Sequence, residues 1–295
     1  MQYRIGDEWV CGIALDLTLY LDGRPTQDVA RRALDAYLAV CPRDRACQVM
    51  LGDVGLWDEY EGKPAPEVFE NYVSRFGTPG HWVLKVWDGR EDECSWSFTL
   101  HGLRRVDDRS AASFCEILLP PDAAPEILHG LARSLIEVFP NLLSGHGGFA
   151  ATFNPWHKEE AFDQIFAWSK RYWGLDVQDL NRTLPEVLGG LKGTNWLTLI
   201  GPKWWNRLEP TPLPECPAPG PCIAGRSPSG ARLVMTAPEP SLLDRHGSES
   251  AAPYAAVEAW ISKVRVPLHD EFAGLFEARA ATWQWLHRFD ADSAW

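Results

Sequence analysis

Residues 144–148 bring together residue types that hydrolases use for acyl transfer. Ser144 could serve as a nucleophile and His146 as its base, and the glycines around them are similar to loops whose N–H groups stabilise an oxyanion. The chain has no Gly-x-Ser-x-Gly segment that would expose such a serine on a sharp turn. We therefore predict a flexible turn at residues 145–148. A hydrolase that combines Ser144, His146 and carboxylates outside known motifs stays open as an alternative.

The other reactive residues lack the spacing of a metal or nucleotide site. None of the eight histidines lies three or four residues from another, so no helix can present two imidazoles to one metal. The seven cysteines include no Cys-x-x-Cys pair, and their odd number argues against a disulfide framework. Glycine-rich phosphate loops are also missing. The sequence therefore predicts no cofactor and no metal.

The charge of the chain is acidic and uneven. Its 40 acidic and 28 basic residues give a net charge of −12, and residues 1–150 alone hold 23 acidic and 14 basic residues. A field of this sign repels phosphate backbones, so direct binding of nucleic acid is disfavoured and a basic protein partner is favoured. Acidity that only keeps the protein in solution is the simpler explanation of the same charge.

The 15 tryptophans allow two interpretations. Exposed on one face they would form a carbohydrate-binding platform, whereas most lie inside otherwise apolar segments that are typical of a core. Core packing is the favoured interpretation, and a tryptophan-rich carbohydrate-binding module stays open as an alternative. A few tryptophans could also anchor a protein interface.

Hydrophobic periodicity defines the start of the chain. Apolar residues alternate with others from Trp9 to Leu21, which predicts a long strand with one buried face. Thr26 can cap the helix that follows, and Pro42 ends it. The chain therefore begins with a strand and then a helix.

Strands and helices alternate along the rest of the chain. Further strands are predicted at residues 49–56, 82–87, 94–100, 114–119, 149–153, 193–201 and 232–237. Helices are predicted at residues 125–139, 158–173, 202–208 and from Pro253. Residues 58–61 are predicted to be an acidic turn, and residues 209–231 a proline-rich surface loop. This mixture predicts an α+β fold, with a largely antiparallel sheet flanked by helices, as a single domain over residues 1–295.

Two blocks of sequence resemble a known family. Residues 191–201, Leu-Lys-Gly-Thr-Asn-Trp-Leu-Thr-Leu-Ile-Gly, and residues 285–290, Trp-Leu-His-Arg-Phe-Asp, are similar to segments of the immunity proteins of bacterial type VI secretion effectors. The resemblance implies a protein that binds and neutralises a nuclease toxin of the restriction-endonuclease type. It implies no catalytic residue, so this chain is predicted not to be an enzyme. The motif residues are predicted to be structural: Gly193, Asn195, Trp196, Gly201, Trp285 and Arg288.

The exposed acids of the N-terminal half are the predicted contacts with the toxin. They would cover a basic active-site or DNA-binding surface, with an aromatic residue as anchor. The candidates are Trp57, Asp58, Glu59, Tyr60, Glu61, Glu91, Asp92 and Glu93. The start of the chain lacks the pattern of a signal peptide, and no apolar stretch is long enough for a membrane span, so we expect the cytoplasm and no membrane partner. A homodimer stays open.

Overall fold

The part of the chain that the structure describes forms fourteen strands and eight helices. The structure is a computed structural model, and it describes residues 1–53, 56–61, 63–76, 82–89, 96–102, 105–106, 109–208, 223–278 and 280–295. The strands are β1 (Gln2–Ile5), β2 (Glu8–Leu21), β3 (Gln48–Asp53), β4 (Leu56–Glu61), β5 (Trp82–Trp87), β6 (Ser97–Gly102), β7 (Arg105–Val106), β8 (Arg109–Ser110), β9 (Ser113–Leu119), β10 (Leu142–Phe153), β11 (Asp176–Val177), β12 (Leu197–Ile200), β13 (Ile223–Arg226) and β14 (Arg232–Met235). The helices are α1 (Gln27–Leu38), α2 (Ala65–Phe76), α3 (Pro125–Val138), α4 (Lys158–Arg171), α5 (Leu180–Glu186), α6 (Pro202–Leu208), α7 (Ala252–Ile261) and α8 (Ala281–Leu286). None of these helices is both long and apolar enough to cross a bilayer.

One large sheet connects the two halves of the chain. Its strands lie in the order β13-β14-β12-β10-β2-β9-β6-β5-β3-β4, with β1 paired to β2 and β11 paired to β10. All pairs in this sheet are antiparallel except β10 with β11. The predicted α+β fold with a largely antiparallel sheet and flanking helices is confirmed.

The central strand β2 is buried on both faces. Leu15, Leu17 and Leu19 point to one face, and Asp16 and Thr18 to the other, as the alternation of a strand requires. The prediction of a single buried face is wrong, because Asp16 and Thr18 are 0% exposed. A second layer of the protein therefore covers the polar side of β2.

Helices α1 to α3 cover the leucine face of the sheet. Thr26 caps α1 by accepting a hydrogen bond from the N–H of Val29, and Pro125 occupies the first turn of α3, as predicted. The apolar sides of these helices pack on Leu17, Ile117 and their neighbours in one continuous core. The opposite face has a different cover: α6 and α7 pack over β12 and β14, while α4 and α8 pack near the first half of β2.

Three predicted loops contain strands. Residues 145–148 lie inside β10 and are not a turn, and their glycines allow a close approach of backbones, since a Cβ on Gly145 would lie 2.6 Å from the carbonyl oxygen of Thr18. Residues 58–61 belong to β4, an outermost strand, where polar sequence is common and conceals the strand pattern. The loop predicted over 209–231 includes β13, which pairs with β14. Residues 209–222 lie outside the described residues.

Candidate functional site

A cluster of polar side chains is buried where β2, β10 and β11 meet. It contains Asp16, Thr18, His146, Asp176 and Gln178, none of them more than 7% exposed. The Gln178 amide donates to Asp16 Oδ2 over 2.6 Å and to Thr18 Oγ1 over 3.1 Å. His146 Nε2 lies 3.0 Å from Asp176 Oδ2 and 3.5 Å from Asp16 Oδ2. These side chains form one connected hydrogen-bond network.

Lys192 supplies the positive charge of this cluster. Its Nζ donates to Asp176 Oδ2 and to the carbonyl oxygen of Val177, both over 2.7 Å. Burial favours the neutral form of every group here, yet the attraction of Lys192 and the hydrogen bond with His146 hold the pKa of Asp176 well below its usual range. Burial lowers the pKa of His146 and raises that of Asp16. The centre therefore contains a charged Asp176–Lys192 pair beside a neutral imidazole.

The two blocks that carry the family resemblance close over this cluster. Gly193, Asn195, Trp285 and Arg288 line a cavity of about 10 Å³ together with His146, which is space for about one water. The Arg288 guanidinium stacks on the Trp285 ring, 4.1 Å from the ring centroid. Its Nε donates to the carbonyl oxygen of Trp173 over 2.7 Å. Burial lowers the pKa of Arg288 to about 10. These contacts hold backbone and aromatic side chains in place around the cavity.

The remaining motif residues lie at or beside strand β12. Trp196 is 2% exposed, and its indole N–H donates to the carbonyl oxygen of Ala237 over 2.8 Å. Asn195 Oδ1 accepts a hydrogen bond from the N–H of Trp196 over 3.0 Å, so it satisfies a backbone group. A Cβ on Gly201 would lie 1.9 Å from the carbonyl oxygen of Leu142, which leaves room only for glycine.

The geometry around Ser144 does not support the hydrolase alternative. Ser144 and His146 are 2% and 3% exposed, so a substrate has no path to either side chain. The Ser144 hydroxyl has no hydrogen-bond partner among the described residues, so His146 does not activate it as a base would. Across the described ranges, no group of three or more His, Cys, Asp or Glu residues could hold a metal ion.

A large cleft opens beside the buried cluster, on the same face of the sheet. Its volume is about 810 Å³, and Gln178, a member of the cluster, also lines the cleft. The floor includes Lys85, Trp87 and Glu116, which the strand register aligns on this face across β5, β6 and β9. Trp156, 91% exposed, lies at the rim. This cleft is an accessible concave site within the described residues.

The predicted toxin contacts fall into two groups. Trp57, Asp58, Glu59, Tyr60 and Glu61 lie in β4, an outermost strand, rather than in a turn. Glu91, Asp92 and Glu93 lie outside the described residues. The backbone register pairs Glu59 with Met50 and Glu61 with Gln48, on the strand that neighbours β5. The first group therefore lies at the end of the sheet that carries the cleft floor.

Apart from His146 and Asp16, the residues of the cluster and the cleft named above carry no signal of a site in the sequence. Asp176 and Gln178 lie in one short segment and Lys192 in another, and only folding brings these two segments to Asp16. The one available signal was Asp16 itself, a carboxylate in the middle of a long apolar strand. A charged residue there needs a buried partner, which the strand alone does not identify.

A comparison with protein families shows the class of protein. The family model TsiV, described as type VI immunity for VRR-NUC, matches residues 53–289. A solved structure of the Pseudomonas aeruginosa T6SS protein PA0821 is similar, with a TM-score of 0.75 and 17% sequence identity; the alignment covers 99% of this chain and 88% of that one. At that identity the likeness shows a shared fold. No curated protein shows significant sequence similarity to the chain.

Proposed function

The chain belongs to the TsiV family of type VI immunity proteins for VRR-NUC nucleases, and from that premise we propose that it neutralises its nuclease by binding and covering the DNA-binding surface. The family match over residues 53–289 is the observation that carries the proposal. It is supported by the acidic charge, which suits a partner that must present cations to DNA.

Occlusion requires no catalysis by the immunity protein. A nuclease needs Lys and Arg residues to hold phosphates, and an acidic surface can compete for them while it accelerates association. The buried position of Ser144 and His146 supports a role in binding rather than in a reaction. Because the protected DNA lies in the cytoplasm, we place the protein there as well.

The acids of β4 contribute to the proposed interface. Asp58, Glu59 and Glu61 belong to a strand at the edge of the sheet, where backbone N–H and C=O groups can also pair with a partner strand. A stable complex of this kind buries about 1,200 to 2,000 Å².

Co-expression tests the proposal. The VRR-NUC nuclease encoded beside this protein is expressed in a sensitive host with and without the chain, and the two are then purified together. Survival together with a stoichiometric complex is the expected result. Survival without a complex would contradict direct binding and would favour an enzyme that modifies the toxin or its target. Death in both cultures would remove the immunity function itself.

A further inference from the structure

Beneath the cleft, the sheet is more polar than on its helix-covered face. On β9, β6 and β5, the residues Ile117, Phe98 and Val86 point to the helix side and are 0% exposed. Glu116 on β9 and Lys85 on β5, which both pair in register with Thr99 of β6 between them, point to the cleft and are only partly buried. A face with this polarity is built for contact with polar groups and water rather than for a helix of the same chain.

Two polar groups that line the cleft lack a hydrogen-bond partner within the described residues. Trp9 is 8% exposed and its indole Nε1 is unpaired, and Gln178 is 7% exposed and its carbonyl Oε1 is unpaired. One is a donor and the other an acceptor. Buried polar atoms are normally satisfied, so a bound segment that pairs with these two atoms would complete their hydrogen bonding.

The charges of the lining favour a cation. Carboxylates of Asp7, Glu8, Glu116 and Asp179 line the cleft, against the ammonium groups of Lys85 and Lys158. Lys158 is already paired with Asp179 over 2.7 Å. Glu116 makes no ion pair within the described ranges. Burial raises the pKa of Glu116 to about 7, and Lys85 opposes that rise. The charge of Glu116 in turn helps to raise the pKa of the buried Asp16 on β2. A cationic group of a partner would supply the missing counter-charge.

Trp156 gives the rim an anchor. Its side chain is 91% exposed, although the 3₁₀ turn that carries it is held by a hydrogen bond from the Trp156 N–H to Asn154 Oδ1 over 3.1 Å. Leaving an indole in water costs free energy, and tryptophan is enriched among the residues that contribute most to binding at protein interfaces. The exposed ring on a fixed turn therefore indicates a surface that a partner covers.

We propose that this cleft receives a segment of the nuclease that carries Lys or Arg side chains, with Trp156 packed against it. The inference rests on the proposed function and specifies which surface performs it. The cation enters toward Glu116, and the backbone or side chains of the segment pair with Trp9 and Gln178. The nuclease segment that the cleft covers is one that would otherwise contact DNA phosphates.

Binding of the purified VRR-NUC domain by variants of the full chain tests this proposal. Trp156→Ala removes the anchor, and Asn181→Arg places a positive charge on an exposed position of the same cleft. Leu268 is 72% exposed and does not line the cleft, so Leu268→Ala and Leu268→Arg are the matched controls. We expect each cleft variant to weaken the Kd by about 10-fold or more, and each control by less than about twofold.

Three outcomes would overturn the proposal. If both cleft variants bind within twofold of the unsubstituted protein, the cleft is not the docking surface, while immunity by binding stands. If the unsubstituted protein forms no complex, this proposal and the proposed function fail together. If the free protein is a dimer that Trp156→Ala dissociates, a second copy of the chain occupies the cleft and not the nuclease. Thermal melting of each variant confirms that a loss of binding is not a loss of folding.

Discussion

Replacement of Lys192 tests whether the buried polar cluster is a structural element. Lys192→Met removes the ammonium that donates to Asp176 Oδ2 and to the carbonyl oxygen of Val177. Lys192 and Asp176 are 6% and 4% exposed, so bulk water cannot solvate the Asp176 carboxylate that loses its partner. Breaking a buried ion pair on one side costs about 3 to 5 kcal/mol, and we expect a loss of unfolding free energy of that size at pH 8.

The loss should depend on pH through His146. In the native protein, burial and the repulsion of Lys192 lower the pKa of His146, while Asp176 opposes both. Without Lys192, the attraction of Asp176 raises that pKa, and protonated His146 can neutralise the carboxylate. A histidine whose folded pKa rises stabilises the folded state at low pH and loses this contribution as the pH increases. The cost of Lys192→Met should therefore be smaller at pH 5.5 than at pH 8.

Denaturant unfolding followed by tryptophan fluorescence at both pH values measures this cost. Lys263→Met, at an exposed position, is the control and should change stability by less than about 0.5 kcal/mol. The double variant Asp176→Asn/Lys192→Met should recover part of the loss, because it leaves no stranded charge. A cost below about 1 kcal/mol for Lys192→Met at pH 8, or an equal cost at both pH values, would refute the reasoning.

Three further predictions concern packing, helix propensity and association. Gly201→Ala should destabilise the fold by about 3 kcal/mol, because its Cβ would meet the carbonyl oxygen of Leu142 at 1.9 Å; an unchanged melting temperature would contradict this. Gly130→Ala, at an exposed position in α3 with open space around it, should stabilise the protein by about 0.5 to 1 kcal/mol in the same melting experiment. If a cation pairs with Glu116, whose pKa is about 7, binding of the nuclease should weaken by about tenfold from pH 8 to pH 6, because the carboxylate must first lose its proton. Titration calorimetry at both pH values checks this, and a pH dependence that persists in Glu116→Gln would assign it to another group.

The elements that the sequence predicts are those with a local signal. The alternation from Trp9 to Leu21 predicts β2, and the Thr26 cap predicts the start of α1, because each pattern lies within one segment. The glycines of β10 carry no such signal. Their role depends on the backbones of neighbouring strands, such as the Thr18 carbonyl that approaches Gly145, and those neighbours are distant in sequence.

The candidate site is less predictable than the fold for the same reason. The buried cluster and the cleft are assembled from β2, β5, β9, β10 and the segment after β11. No pair of their residues has a sequence spacing that indicates a site. The observed burial also differs from what residue type alone predicts, namely charged residues at the surface and tryptophans in the core. Asp16 and Lys192 are charged residues of the interior, and Trp156 is a tryptophan of the surface. Sequence composition suggests the opposite in each case.

Competition with DNA tests the central claim most directly. Fluorescently labelled duplex DNA is bound to a catalytically inactive VRR-NUC domain, and the immunity protein is added while anisotropy is followed. If the chain covers the DNA-binding surface, anisotropy should fall to the value of free DNA near one equivalent, and more DNA should raise the amount of chain required. A stable ternary complex that retains the DNA would contradict occlusion.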